Sequence, residues 1–505
     1  MAQVHELIYE AAAPRALFFV GLLFPHLALL PLLARRSARS DGEMLLPSPP
    51  RMLPVIGHLH HLMGALPHVS LARLAARHGP DLMLLRLGAV RAVVVSSPRA
   101  AEAVLRTHDH AFASRPRTLA ADIVMYGASD SCFAPYGDHF RKARRLVTQH
   151  LLSAGKVRSQ RPAREEEVRV VLGRLVAAAS GEAVVDMSEL LHSFVNDLVC
   201  RFVSGKPEQA VPELTDINAA LLGGFHVVDY FPSLARLELF SKVACAKAKG
   251  VRKRWDQLLD KLIDDHATRA TQQEADTADF IHVLLSLQEE YGLTRDHMKA
   301  ILIDMFEAGT DTSYVTLEFA MAHLMRKPHL LAKLQDEGAQ GARNGHRRQP
   351  YQHDLPKAVI KETLRLHPAV PLLIPHFSRE ACSIGANTIP TETRVIVNAW
   401  ALGRHESYWE HANEFIPERF MDGGSANNVD FKGKDFHFLP FGSGRRMCPG
   451  IHLATVTTET MLANLIYHFD WQLPAGLNKE DIDMTEVFGI TVQRKQKLIL
   501  VPKIV

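Results

Sequence analysis

Cysteine is scarce and irregularly placed, with five residues at 132, 200, 245, 382 and 448. An odd number at such spacing argues against a disulfide framework and fits a reducing compartment. Excess charge of either sign is also missing. The 58 Lys and Arg nearly cancel the 55 Asp and Glu to leave +3. The basic residues form no long run, so nucleic acid is not an expected partner. No Gly-x-Gly-x-x-Gly fingerprint is present to give the chain its own dinucleotide domain. Histidine is abundant at 27 but scattered, without zinc-ligand spacing, so no zinc site is expected. Long apolar runs are absent except for Ala16 to Ala34. Nineteen helical residues at ~1.5 Å rise would reach roughly 28 Å, about one bilayer core. Arg35, Arg36 and Arg39 follow this run and Glu6 and Glu10 precede it. The expectation is a single N-terminal membrane anchor over residues 1–40, with the rest of the chain in the cytosol.

A length of 505 residues exceeds one ordinary core and calls for two lobes or one large multilayer domain. Residues 41–57 are rich in proline and read as a stiff hinge before a globule spanning 58–505. Leu82 to Leu87 and Arg91 to Ser96 predict a hairpin around Gly88. Pro98 to His108 predicts an amphipathic helix. A basic helix follows from Tyr136 to Arg145, with Phe140 and Arg144 one turn apart on one face. Arg164 to about Ala270 has helical periodicity, with breaks near Gly181, Gly205 to Pro207 and Pro232. His297 to about Lys327 predicts one long helix carrying Ala308-Gly309-Thr310-Asp311-Thr312-Ser313. Gly309 would let its backbone approach a ligand and loosen the helical ladder. Asp311 and Thr312 place an acid beside a hydroxyl, as proton transfer needs. Glu362 and Arg365 sit three apart on a helix face, and Pro371 to Pro375 reads as a strand. The run from Gly338 to Pro350 is polar and Gly-rich, without helical pattern.

The stretch Phe441-Gly442-Ser443-Gly444-Arg445-Arg446-Met447-Cys448-Pro449-Gly450 gathers the most chemistry. Its glycines permit a tight loop against a flat ligand, and Pro449 suits a helix start. A thiolate at Cys448 would be favoured by that helix start and by Arg445 and Arg446. Such a sulfur is a metal ligand. The pattern Phe-x-x-Gly-x-Arg-x-Cys-x-Gly is complete, and on it the chain resembles the cytochrome P450 family of haem-thiolate monooxygenases. Other motifs in the expected order extend the likeness over essentially the whole chain.

The resemblance implies a mainly α fold with a small β-rich lobe. It implies haem b, with Cys448 as axial thiolate ligand of the iron and Arg446, Phe441, Gly444, Arg144 and His376 holding the cofactor. Phe140 stands where relatives usually carry Trp. Asp311 and Thr312 would deliver protons, and Phe306, Ala308, Val370, Leu373, Phe488 and Ile490 would line the substrate pocket. Gly223 to His226 and Asp229 to Pro232 would roof it. Glu362, Arg365 and Arg419 of Pro417-Glu418-Arg419-Phe420 would form a structural cluster. The partners implied are O2, a small apolar substrate, NADPH-cytochrome P450 reductase and the endoplasmic reticulum membrane. The Leu355-Pro356-Lys357 stretch lacks a Tyr-Leu pair found in relatives. Together with the abnormal run before it, this reads as a splice or frame error, the alternative being a flexible loop.

A narrower likeness is to grass enzymes that hydroxylate indole-derived intermediates on the way to benzoxazinoid defence compounds. It rests on Phe112-Ala113-Ser114-Arg115-Pro116, Leu221 to Phe225, Val397 to Arg404 and Asp483-Met484-Thr485-Glu486. The alternatives are a terpenoid or phenolic hydroxylase of the same fold, or a non-catalytic haem-binding relic.

Overall fold

The computed structural model describes residues 46–62, 66–236, 238–269, 279–343 and 354–505. The long helix Arg295–Arg326 runs through the centre, buried on nearly every side. Thr294 starts it: its hydroxyl accepts from the backbone N–H of His297 at 3.1 Å, and the His297 ring returns to the Thr294 N–H. Such reciprocal caps satisfy backbone donors that a helix start otherwise leaves bare. Met187–Ser204, Asp354–Leu366 and Ile451–His468 pack around this helix. Arg161–Ser180, Val211–Leu222 and Glu238–Arg269 complete the helical lobe, breaking where the sequence predicts. Gly205, at φ 78°, ends the helix Met187–Ser204 in the left-handed conformation that glycine adopts without strain.

The β-rich lobe holds the hairpin Leu82–Leu87 and Val90–Val95. Arg394–Val397 adds in parallel to the second strand, and His376–Phe377 then pairs antiparallel with Arg394–Val397. Alternation sends Met83, Leu85 and Leu87 toward Leu71 and Ala75 on one face and Leu82 toward a second cluster on the other. A three-stranded sheet joins Val185–Asp186, Ile499–Ile504 and Phe469–Gln472.

Several local expectations need correction. The helix begun at Pro98 ends at Glu102 and passes into a wider turn, Ala103–Thr107. Pro371 to Pro375 is a turn rather than a strand, and Leu373 takes a positive φ of 48°. The polar run is helical as far as Arg343, because it continues the helix Pro328–Arg343; its remainder lies outside the described residues. Tyr230 and Phe231 pack on the β-rich lobe instead of roofing a pocket, with the Ala89 N–H donating to the Tyr230 carbonyl at 2.8 Å. The prolines at 47 to 54 do more than connect, since the Leu84 N–H donates to the Pro47 carbonyl at 2.7 Å. The anchor assigned to Ala16 to Ala34 lies outside the described residues. Among the described residues, no helix is long and apolar enough to cross a membrane.

A buried chain of polar contacts ties the lobes together. Glu486 accepts from His367 at 2.7 Å and from His68 at 3.1 Å, and His367 meets His323 of the central helix at 3.0 Å. Burial would raise the Glu486 carboxyl, but the hydrogen bonds from His367 and His68 outweigh it and hold the group at about 2, against an ordinary 4.5. Burial pushes His367 and His323 below 6.5. A depressed carboxyl stabilises the fold above its unfolded value and loses that contribution as pH falls from 4.5 toward 2. A depressed imidazole adds nothing above 6.5 and costs stability as pH falls below it, because the unfolded chain takes up the proton more readily. Both therefore act in the same direction. The melting temperature is expected to fall as pH drops below 6.5. Glu486→Gln should cost about 3 kcal/mol at neutral pH and flatten the dependence between pH 4.5 and 2. A thermal melt series across this range checks both.

Candidate active site

A cavity of about 240 Å³ opens between the central helix and the Cys448 loop. The loop is shaped by its backbone. Gly442 and Gly444 take φ of 67° and 70°, and a Cβ on Gly444 would fall 2.3 Å from the Leu105 carbonyl oxygen. Gly444 therefore seats the loop against its neighbour and does not itself line the cavity. The Cys448 N–H donates to the Phe441 carbonyl at 2.9 Å and closes the loop, turning Cys448 and Phe441 into the cavity wall. The following helix starts at Ile451 with Gly450 as its cap, two residues later than Pro449 suggests.

Arg445 does not support the thiolate, as its guanidinium turns outward and pairs with Asp109 at 2.6 Å. Burial pushes the Cys448 thiol above its ordinary value, opposed by the Gly450 N–H and by Arg144. The surrounding protein thus favours the neutral thiol, and a bound cation at the sulfur would reverse that preference.

Cationic side chains converge on the same cavity. Arg446 donates to the carbonyls of Ala113 and Ala134, Arg144 to that of Met447, and Arg115 to those of Cys132, Ile374 and Pro375. All three line the cavity, and among the described residues none forms an ion pair with a carboxylate. One Arg446 nitrogen, Nη1, is buried with no hydrogen-bond partner among the described residues. Burial draws Arg446 down to about 9 and Arg115 to about 10. Buried cations without counter-ions are costly, so this set suits an anionic ligand. His376 accompanies them in the lining, bound at Nδ1 to the Phe112 carbonyl at 2.8 Å. Phe140 lies beneath Arg446, with the guanidinium carbon 3.6 Å from the ring centroid. The residue that lacks an indole N–H instead steadies a neighbouring anchor through its ring face.

The facing wall is the central helix. Ala308, Gly309 and Thr312 line the cavity, and the Thr312 hydroxyl donates to the Ala308 carbonyl at 2.9 Å. The helix is unbroken here, so Gly309 does not loosen it. A Cβ on Gly309 would fall 3.0 Å from a Val199 methyl, and this close approach is what the glycine permits. Val370 and Leu373 also line the cavity.

Three assigned pocket residues lie elsewhere. Phe306 is fully buried and stacked on Trp255 at 6.2 Å, because two helical steps put it on the face opposite Ala308. Phe488 and Ile490 face a separate chamber of about 20 Å³, together with Asp311 and Asp216. Asp311 therefore does not share the cavity with Thr312, its neighbour in sequence. Glu362, Arg365 and Arg419 meet in the core behind the site, with contacts of 2.7 and 3.2 Å to the Glu362 carboxylate.

Sequence reasoning missed two charged lining residues. Arg115 was within a recognised run but carried no role. Asp304, which accepts from the Ser131 hydroxyl at 2.6 Å, lies four residues before Ala308 on the same helical face, a spacing that would have found it. The histidines also gather more than their spacing implies: His266, Asp279 and His282 cluster where Asp279 caps a helix, and His192 approaches Asp216 and Asp311.

The Cys448 thiol on its closed loop, guanidiniums without ion-pair partners among the described residues, and small residues with a hydroxyl opposite define a haem-thiolate oxygenase. Haem carries two propionates, anions of the kind these guanidiniums would accept, and a cysteine thiolate is a known ligand of its iron. The cytochrome P450 family model matches residues 47–501, and the chain belongs to this family of monooxygenases. Indole-2-monooxygenase of Zea mays is 64% identical, with 99% of each chain covered. Its alignment runs over 537 positions against 505 here, so at least 32 positions of that relative have no counterpart. The 3-hydroxyindolin-2-one monooxygenase of Zea mays is 48% identical over 99% of this chain and 97% of its own. A zebrafish cytochrome P450 solved with progesterone superposes with a TM-score of 0.73 at 25% identity, covering 87% of this chain and 100% of that one.

Proposed function

We propose that this chain hydroxylates an indole-derived intermediate of benzoxazinoid-type defence metabolism. The observation that carries this reading is the 64% identity, over the full length of both chains, to a maize enzyme named for the monooxygenation of indole. A second maize relative named for an oxidised indole supports the same class. The apolar wall formed by Val199, Phe202, Val203, Met305, Val370 and Leu373 suits a small flat ring system.

Haem held by Cys448 would supply oxygen activation, with the thiolate donating electron density to it. The chain's own residues do the rest. Arg446, Arg144, Arg115 and His376 would hold the cofactor by its propionates. The apolar walls exclude water and orient the ring. Thr312 places a hydroxyl on the cavity side of the helix, and Asp311 holds the proton behind it. NADPH-cytochrome P450 reductase is the electron donor in this reading. The exposed Lys142 and Arg145, on the helix Asp138–Leu146 that also carries Arg144, give an acidic partner a basic face near Cys448. Residues 16–34 would hold the chain at the endoplasmic reticulum membrane.

Microsomes containing the protein and a reductase should oxygenate indole or an indolin-2-one in preference to a panel of terpenoids and phenolics. Turnover confined to the terpenoids or phenolics would overturn the substrate class. Thr312→Ala is expected to lower product formed per NADPH about 10-fold while leaving substrate affinity in place. Measured coupling equal to wild type would remove Thr312 from the proton path.

A further inference from the structure

A small chamber behind the central helix lies outside the substrate cavity. Asp216, Ala219 and Ala220 form one side of it, the turn Phe488 to Thr491 another, and Asp311 its inner wall. The walls fit closely, since a Cβ on Gly223 would fall 2.3 Å from the Ile490 nitrogen. About 20 Å³ is room for a single water molecule. Asp311 is only 1% exposed, and among the described residues neither of its carboxylate oxygens has a hydrogen-bond partner. A buried carboxyl in that state requires a proton, a water or both. His192 is also buried, and its Nε2 is likewise without a partner. Ligand atoms of His192, Asp216 and Asp311 all lie within 4.8 Å of one another. They come from three different helices, and Asp216 is the least buried of the three.

We infer that Asp216 and His192 are the entrance of a proton route that reaches Asp311 through one water in this chamber, from the side of the helix opposite the substrate. The inference rests on the reading of Asp311 and Thr312 as the proton-delivering pair. Hydroxylation joins O2 with two electrons and two protons to leave one oxygen in the substrate and one in water, and the reductase supplies the electrons. Each proton enters as solvent protonates Asp216 or His192, passes to the chamber water and then to Asp311. A change of Asp311 rotamer carries it to the Thr312 side, and the emptied carboxylate is refilled from Asp216. Protons thus reach the cavity without opening the substrate side to bulk water.

The electrostatics agree with such a shuttle. Burial, then the Asp216 charge, push Asp311 up to about 7, where it both holds and releases a proton at neutral pH. Burial lowers His192, with Asp216, Glu189 and Asp197 opposing. The other ionisable groups facing Asp311 are Glu307, Tyr314 and Glu318 of its own helix, all buried. Glu318 is paired with Arg494 at 3.3 Å, and Tyr314 stands edge-on to His192 at 4.8 Å between ring centroids.

The test uses the full chain with its reductase. Asp216→Asn should lower product per NADPH roughly 10-fold and raise the solvent isotope effect on turnover, with KM and the reduced-CO spectrum unchanged. His192→Phe should act in the same direction. Infrared difference spectra of the protein alone should show a protonated carboxyl band titrating near pH 7, absent in Asp311→Asn and shifted in Asp216→Asn. If Asp311→Asn uncouples but Asp216→Asn leaves both coupling and band as in wild type, the entrance lies elsewhere and only this inference fails. Normal coupling in Asp311→Asn would remove the underlying proton-delivering pair, and the inference with it. Zn²⁺ alone, bound stoichiometrically in calorimetry and lost in Asp216→Asn, would make the cluster a metal site and also overturn it.

Discussion

Cys448→Ser protein is expected to lose monooxygenase turnover entirely, together with the thiolate-type spectrum of its reduced CO complex. The loss should exceed the ~100-fold caused by removing a hydrogen-bond partner of a metal ligand, because the ligand itself is removed. Serine is nearly isosteric, and the loop that presents it is closed by backbone contacts, including the Cys448 N–H to the Phe441 carbonyl. Gly442 and Gly444 set the loop's course independently of the sulfur. The melting temperature of the cofactor-free protein should therefore stay close to wild type while function disappears. A CO difference spectrum, a turnover assay and a thermal melt on the same preparation separate these effects. Persistence of the thiolate-type band in the serine variant would mean that another residue binds the iron.

The second large effect is on the fold. Glu362 and Arg365 are wholly buried side chains, joined by contacts of 2.7 and 2.8 Å, and Arg419 reaches the same carboxylate at 3.2 Å. The Ile416 N–H also donates to Glu362, at 2.7 Å. Arg365 spends its remaining donors on the carbonyls of Gly403, Ala412 and Glu414. One carboxylate thus holds two guanidiniums and three chain segments together. Glu362→Gln leaves both cations buried without a counter-ion, and breaking such a cluster costs about 3–5 kcal/mol. Against a typical domain stability of ~5–15 kcal/mol, that is a large fraction. Expression should fall and denaturation midpoints should drop sharply, with haem content lost in proportion to the unfolded fraction. A midpoint within experimental error of wild type would show that the cluster contributes little. Gly403 belongs to the same unit, since a Cβ there would fall 2.4 Å from the Arg365 carbonyl oxygen.

These two predictions differ in how much of their basis can be read along the chain. The Cys448 loop is contiguous, and its glycines, arginine and cysteine announce a ligand-binding turn at fixed offsets. The Glu362, Arg365 and Arg419 cluster joins positions more than fifty residues apart, and the acid and base three apart on one helix gave no sign by themselves that they are buried. Phe140 shows the same limit. Its identity removes a hydrogen-bond donor, but only packing reveals that its ring supports Arg446. Asp311 and Thr312 are neighbours in sequence and face different compartments, since one step along a helix turns the side chain by about a hundred degrees. The same helical periodicity turns Phe306, two residues from Ala308, out of the pocket and brings Asp304, four residues away, into it.

The sequence by itself determined the helical periodicity and its breaks, the early hairpin, the thiol-bearing loop and, through those motifs, the family. Each depends on residues close together in the chain, where propensity, capping and glycine conformation act locally. Only the tertiary structure decided which arginines remain without counter-ions, that Arg445 turns to Asp109, and that Phe488 and Ile490 close a chamber on Asp311 instead of the substrate cavity. These outcomes depend on what distant segments place opposite each side chain, and burial and electrostatics are properties of that assembled environment.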